Sequence, residues 1–221
     1  MTSRATGPSG PLAPSTLSII AVTCLCTFAL LALAVAHGNG PYGFEDPVFS
    51  WLGAPSLTSA WANLSELLAT PLIGAALVIA VVLGFARRGL LRVVAYAAIA
   101  AAAFLISEHV AKPLVQRSYY EELTFPSGSV VAVSAATLAL WLALYPLIGK
   151  AARMIALVIG GAWTMLTALA VVGALWHTPL DVIGSMLLSI GLVTGGAAIF
   201  EHMTSQRPRP KVESGKVGRS R

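Results

Sequence analysis

The sequence predicts an all-α fold, an integral membrane bundle of six transmembrane helices. Three observations carry that prediction. Only 10% of the 221 residues are charged and 57% are apolar, whereas a soluble domain carries about a quarter charged residues. The apolar residues gather in six long runs, each meeting the roughly 20 residues that a bilayer requires. The short connections rich in Lys and Arg fall on alternate turns of the chain, as they do when one side of the membrane retains them.

Each element follows from its own residues. Residues 1–15 (MTSRATGPSGPLAPS) are rich in Pro, Gly and Ser and are expected to be disordered. The membrane domain is expected at 16–201. Helix one covers 16–37, in a stretch without charge between Arg4 and Glu45. Ala34-Val35-Ala36 resembles a signal-peptidase site, but the apolar stretch before it exceeds the roughly 7–15 residues of a signal sequence. An uncleaved anchor is therefore expected. Cys24 and Cys26, two residues apart, face different sides of that helix and read as small apolar residues, not as a disulfide or metal site.

Residues 38–60 read as a loop with interfacial Trp51 and Trp61 near its ends. Helix two is expected at 62–85, with Glu66 in its first turn, and Arg87, Arg88 and Arg92 mark a tight turn. Helix three is expected at 90–111, ending in Glu108, His109 and Lys112, before a polar loop at 113–126. Helix four, 127–147, lies in 27 residues without charge, and Lys150 and Arg153 mark the next turn. Helix five spans 154–175 and helix six 179–200. Gly191 and Gly195 give a small-xxx-small spacing that permits close helix packing; in so Gly-rich a segment chance produces it as readily.

The net charge of +5 belongs to the tail at 202–221, which holds six Lys and Arg against Glu213. The tail has no apolar periodicity and is expected to be disordered and cytoplasmic, beside anionic headgroups. No nucleic-acid partner is expected. Six helices place both termini on the cytoplasmic side of the cell inner (plasma) membrane. The loops at 38–60, 113–126 and 176–178 then face outward. The Ala-rich, Lys-poor composition associates the chain with a high-GC bacterium.

That orientation collects the chemistry in one outer layer. Its fixed cations are Lys112 and Arg117. Pro126-Ser127-Gly128-Ser129 opens helix four, where free N–H groups and the positive dipole end attract an anion. His177 is a candidate nucleophile, and Asp181, one helical turn on, can hold its imidazole in the required tautomer. Phosphate binding beside an oriented His points to phosphoryl transfer through a phosphohistidine.

These pieces resemble the type 2 phosphatidic acid phosphatase family over residues 108–185. That family's signature runs from a Lys to Arg-Pro, then Pro-Ser-Gly-His, then Ser-Arg leading to His-x-x-x-Asp. The matching positions here are Lys112 to Arg117, Pro126-Ser127-Gly128-Ser129, and His177 to Asp181. The resemblance implies catalytic His177 and Asp181, and phosphate contacts from Lys112, Arg117, Ser127, Gly128 and Ser129. It implies no metal and no cofactor, and the scattered His residues offer no metal-ligand spacing. The chain departs from the signature at three places. The family's first Arg falls at Tyr119, with Arg117 two residues earlier. The His of the second motif, assigned to assisting the leaving group, is Ser129. The third-motif Arg falls at Val171.

An acid helper is worth about 10²–10⁴-fold. Its loss hurts a monoester, which expels an alkoxide, more than a diphosphate, which expels a phosphate. The expected function is therefore hydrolysis of a lipid phosphate or diphosphate, of polyprenyl diphosphate type, at the outer face. The alternative is a catalytically impaired relative that binds a lipid phosphate or a partner protein in a cell-envelope pathway. A small transporter fits less well, because the charges gather at helix ends and not at the midplane.

Plainer roles stand beside these. Lys112 can snorkel, or pair with Glu108 four residues earlier. Asp181 can serve its helix dipole, and Ser127 a helix N-cap. His109 is a candidate substitute acid, and Glu66 a candidate partner for a site cation. Glu121 and Glu122 are expected in solvent. Arg207-Pro208-Arg209-Pro210 imitates the first motif from the wrong side of the membrane.

Overall fold

The computed structural model describes residues 12–87, 89–119 and 121–206. In chain order the helices are α1 (Pro14–Val35), α2 (Asp46–Leu52), α3 (Thr58–Ala86), α4 (Leu90–Ile106), α5 (Lys112–Val115), α6 (Gly128–Leu144), α7 (Lys150–Gly173) and α8 (Pro179–Ser205). A π-helical turn, Ser107–Ala111, joins α4 to α5 without a break. A two-residue hairpin pairs β1 (Ser118–Tyr119) antiparallel with β2 (Glu122–Leu123).

Among the described residues, five helices are long and apolar enough to cross a membrane: α1, α3, the continuous Leu90–Val115, α7 and α8. The apolar α6 is shorter, at 17 residues. The protein is thus a multi-pass membrane bundle, as its composition required. The exposed surface of α3 and α7 carries Ile79, Val82, Phe85, Ile155, Val158 and Ile159, the side chains that a lipid solvent accepts.

Three boundaries differ from expectation. The chain between α1 and α3 is not wholly loop, because Asp46-Pro47 starts the short α2, with Pro in the first turn, where its missing N–H leaves nothing unpaired. The third membrane helix runs past 111 to Val115, since the π turn absorbs Pro113 into continuous helix. Helix also claims part of both expected disordered ends, with α1 starting at Pro14 and α8 reaching Ser205. The rest of those ends, including the 207–210 motif, lies outside the described residues.

Small residues let the helices approach. A Cβ at Gly191 would lie 2.6 Å from Leu25 Cγ, and one at Gly195 3.5 Å from Ala21 Cβ. The small-xxx-small spacing is therefore the seat of α1 on α8. Likewise, a Cβ at Gly173 would lie 2.6 Å from the Trp61 ring, whose Nε1 donates to the Leu52 carbonyl at 3.1 Å. At the end where α4 begins, Arg92 pairs with Glu201 of α8, which also accepts from Tyr96 Oη at 3.0 Å. The Arg92 guanidinium lies over the Tyr96 ring. A partnered charge is tolerated where a lone one is not, and this pair locks α4 to α8.

Inside the bundle, α6 and α8 share a seam of hydroxyls. Ser134 Oγ bonds Ser189 Oγ at 2.7 Å, and Ser185 Oγ reaches Ser127 at the start of α6. Such bonds are the glue available between helices in lipid, where no hydrophobic force drives association.

Candidate functional site

The site forms at the end of the bundle where α5 ends and α6 and α8 begin. An open cleft of about 320 Å³ lies there, lined by Lys112, Tyr119, Glu122, Thr124, Trp176 and His177 among others. Two of the residues expected to carry chemistry, Lys112 and His177, thus share one cavity.

His177 sits in the turn between α7 and α8. The turn is built by the Val171 carbonyl, which accepts from both Trp176 N and His177 N. The imidazole side chain is 14% exposed. Its Nδ1 lies 3.0 Å from the Thr124 carbonyl. A carbonyl only accepts, so Nδ1 carries the hydrogen and Nε2 keeps its lone pair. Among the described residues Nε2 has no recorded partner.

Asp181 does not make that hydrogen bond. Its Oδ2 is 3.8 Å from His177 Nδ1 and accepts from Thr178 N at 2.8 Å. Asp181 N donates back to Thr178 Oγ1 at 3.3 Å, closing a capping box on α8. Oδ1 accepts from Arg117 Nη1 at 2.9 Å. The expectation that Asp181 fixes the tautomer through its carboxylate is corrected: its oxygens are committed to the helix start and to Arg117, and a backbone carbonyl fixes the tautomer. Asp181 remains close enough to act on the ring as a charge.

Arg117 does not line the cleft. It is fully buried, with Nη2 on Glu45 Oε2 and on the Gly40 carbonyl, each at 3.1 Å, and with its guanidinium 5.1 Å from the Tyr42 ring centroid. Glu45, 2% exposed, also accepts from Tyr42 N at 2.8 Å and from Leu180 N at 3.0 Å. Its carboxylate thus binds the first turn of α8 from another segment of chain. One guanidinium holds two carboxylates, and the cluster joins the 37–45 loop, the residue before β1 and the start of α8.

Lys112 Nζ pairs with Glu108 Oε2 at 2.8 Å, the i,i+4 pair that the sequence offered as one role for this Lys. It does so while lining the cleft, so the two roles coexist. Glu108 stands on the π turn and reaches the start of α6, where a Cβ at Gly128 would overlap its Oε1. Any larger residue at 128 would displace this carboxylate from its place.

Ser127 is the N-cap residue of α6 by position, but its side chain makes no capping bond. Its backbone is held instead: Ser127 N donates to Ser185 Oγ at 2.7 Å, and Ser185 Oγ bonds the Ser127 carbonyl at 3.1 Å. Ser127 Oγ is buried with no partner among the described residues. Preceding Phe125 is fully buried and presses on Gly184, where a Cβ would overlap its ring. Ser129 is half-buried in the first turn of α6. Neither Ser127, Gly128 nor Ser129 is among the residues that line the cleft with His177; Gly128 packs against Glu108. Val171 is fully buried in an apolar cluster with Leu52, Val130 and Val182, so no cation occupies the third-motif Arg position. His109 and Glu66 are exposed, and Glu121 and Glu122 are exposed in and beside the hairpin.

The sequence reading missed Glu45, Thr124 and Ser185. Glu45 had a signal: an Arg in a layer of apolar helix ends needs carboxylates. Thr124 and Ser185 had none, because one acts through its backbone and the other is an ordinary small residue on α8.

No protein-family model matches the chain, and no curated protein matches its sequence significantly. Among solved structures, it resembles the crystal structure of a transmembrane PAP2-type phosphatidylglycerolphosphate phosphatase from Bacillus subtilis. The TM-score is 0.67 at 18% identity, covering 86% of this chain and 98% of that one. The fold is that of a transmembrane PAP2-type phosphatase, the family its motifs resemble.

Proposed function

We propose that this protein is a membrane lipid phosphatase that hydrolyses a lipid phosphate or diphosphate through a phosphohistidine at His177. The observation that carries this reading is the His177–Thr124 bond at 3.0 Å, which leaves Nε2 as the free nitrogen of an imidazole that lines a cleft beside a Lys. The fold shared with a PAP2-type enzyme supports it.

In this mechanism the phosphate enters the cleft with its charge toward Lys112. Nε2 attacks phosphorus and the leaving oxygen departs. The phosphorylated ring is cationic; its Nδ1–H stays on the Thr124 carbonyl, and Asp181 faces it across 3.8 Å. Glu45, Asp181 and Arg117 carry one surplus negative charge as an ionised cluster, which favours that cation. Water then attacks phosphorus and frees the His.

Ser129 offers no acid at the second-motif position, which favours a diphosphate of polyprenyl type over phosphatidic acid. By the positive-inside rule, Arg87, Arg92, Lys150 and Arg153 support a cytoplasmic location for the opposite end of the bundle and an outward-facing cleft. A second reading, binding without turnover, is favoured by the withdrawal of Arg117 and the apolar Val171, which leave Lys112 as the cleft's fixed cation among the described residues.

Inorganic phosphate released by the purified full chain from farnesyl diphosphate and from phosphatidic acid decides between them. The phosphatase reading expects the diphosphate to turn over faster and His177→Ala to reduce both to background. Release unchanged by His177→Ala would remove the nucleophile, and no release from either lipid would favour binding.

A further inference from the structure

Resting on the phosphatase reading, we propose that Glu108 is a catalytic residue that relays the proton to the leaving oxygen, in place of the imidazole that Ser129 lacks. Nothing in the mechanism above uses this carboxyl. Yet it stands on a π-helical turn, a feature that recurs at functional sites. Three observations define its place. Oε2 holds Lys112, which lines the cleft with His177. Oε1 abuts Gly128, one residue before Ser129. Oε1 is also buried and without a hydrogen-bond donor among the described residues.

An acceptor buried without a donor costs free energy that an arriving donor recovers. Hydrogen phosphate is such a donor. A lipid phosphate entering as its monoanion offers one O–H to Oε1 while its charged oxygens face Lys112. The titratable groups around this point are Lys112 on the same helix, and His177, Tyr119 and Glu122 along the cleft; His109 is exposed.

The balance is complete. As the P–Nε2 bond forms and the P–O(alkyl) bond breaks, the phosphate O–H proton passes to Oε1 and from the carboxyl to the leaving alkoxide, giving the alcohol. In the second step water attacks phosphorus, the P–N bond breaks, Glu108 takes the water proton and returns it to the product phosphate. Neutral His177 and ionised Glu108 are restored. A diphosphate, with its better leaving group, needs the relay least, so the relay narrows the diphosphate preference without reversing it.

Leaving-group dependence tests this assignment. Initial rates of the full chain and of Glu108→Gln would be measured on dodecyl phosphate and on p-nitrophenyl phosphate from pH 5 to 8. The amide oxygen of Gln still accepts from Lys112, so loss of the phosphate seat alone would lower both substrates alike. The relay predicts about a 10²-fold or greater loss on dodecyl phosphate and less than about tenfold on p-nitrophenyl phosphate, whose phenolate leaves without a proton. In the wild type, the dodecyl phosphate rate should fall as pH rises through the second ionisation of the substrate, near ~6. Glu108→Asp, which keeps the carboxyl, should retain part of the alkyl activity and guards against misfolding of the Gln variant. Equal losses on both substrates, or none, would overturn the relay. Absence of wild-type turnover on either would instead remove the phosphatase reading, and the relay with it.

Discussion

His177 Nδ1 lies 3.0 Å from the carbonyl of Thr124 and 3.8 Å from the carboxylate of Asp181. The imidazole is therefore oriented by backbone. Asp181 is bound on one side to Thr178 and on the other to Arg117. This arrangement separates the residue that orients the nucleophile from the residues that hold its loop in place.

Arg117 and Asp181 should behave as structural partners. Removing one member of a buried pair leaves the other uncompensated, at about 3–5 kcal/mol. Arg117→Ala should lower the melting temperature sharply in detergent. Arg117→Lys should rescue little, since an ammonium cannot span Asp181, Glu45 and Gly40 together. A normal melting temperature with a raised KM would instead make Arg117 a substrate contact.

Ser185 staples the start of α6 to α8 through both the N–H and the carbonyl of Ser127. Ser185→Ala leaves a buried N–H without its acceptor, a loss of about 1–3 kcal/mol. Because Gly128 follows Ser127, activity should fall more than stability alone explains. Parallel measurement of kcat and unfolding would separate the two effects.

Restoring the imidazole at the second-motif position should change specificity. With the Glu108 relay removed, Ser129→His in a Glu108→Gln background is expected to raise turnover of phosphatidic acid more than turnover of farnesyl diphosphate, by up to about the 10²-fold worth of an acid helper. Rates on the two lipids, as a ratio, check this. An unchanged ratio would mean that position 129 does not reach the leaving group.

The fold was legible because the bilayer leaves so few solutions: long apolar runs and clustered cations specify a helical bundle almost alone. Gly191 and Gly195 carried a packing signal that only Leu25 and Ala21, distant in sequence, could complete. His177, Asp181 and Lys112 were legible as chemistry because ionisable groups are scarce in such a chain. Their division of labour was not. Whether Asp181 faces a His or an Arg depends on a loop 64 residues upstream, and a carbonyl such as that of Thr124 leaves no trace in residue type. Glu108 was visible only as a partner of Lys112; nothing in its residue type announced the π turn on which it reaches Gly128.

The most direct measurement of the central claim is the identity of the phosphorylated residue. The full chain would be mixed with farnesyl diphosphate, quenched in alkali within the first turnover, digested and analysed by mass spectrometry. The account predicts an acid-labile phosphoryl group on His177 that disappears when the reaction is left to exhaust its substrate before the quench. Sustained phosphate release with no phosphate on His177, or with phosphate on another residue, would contradict it.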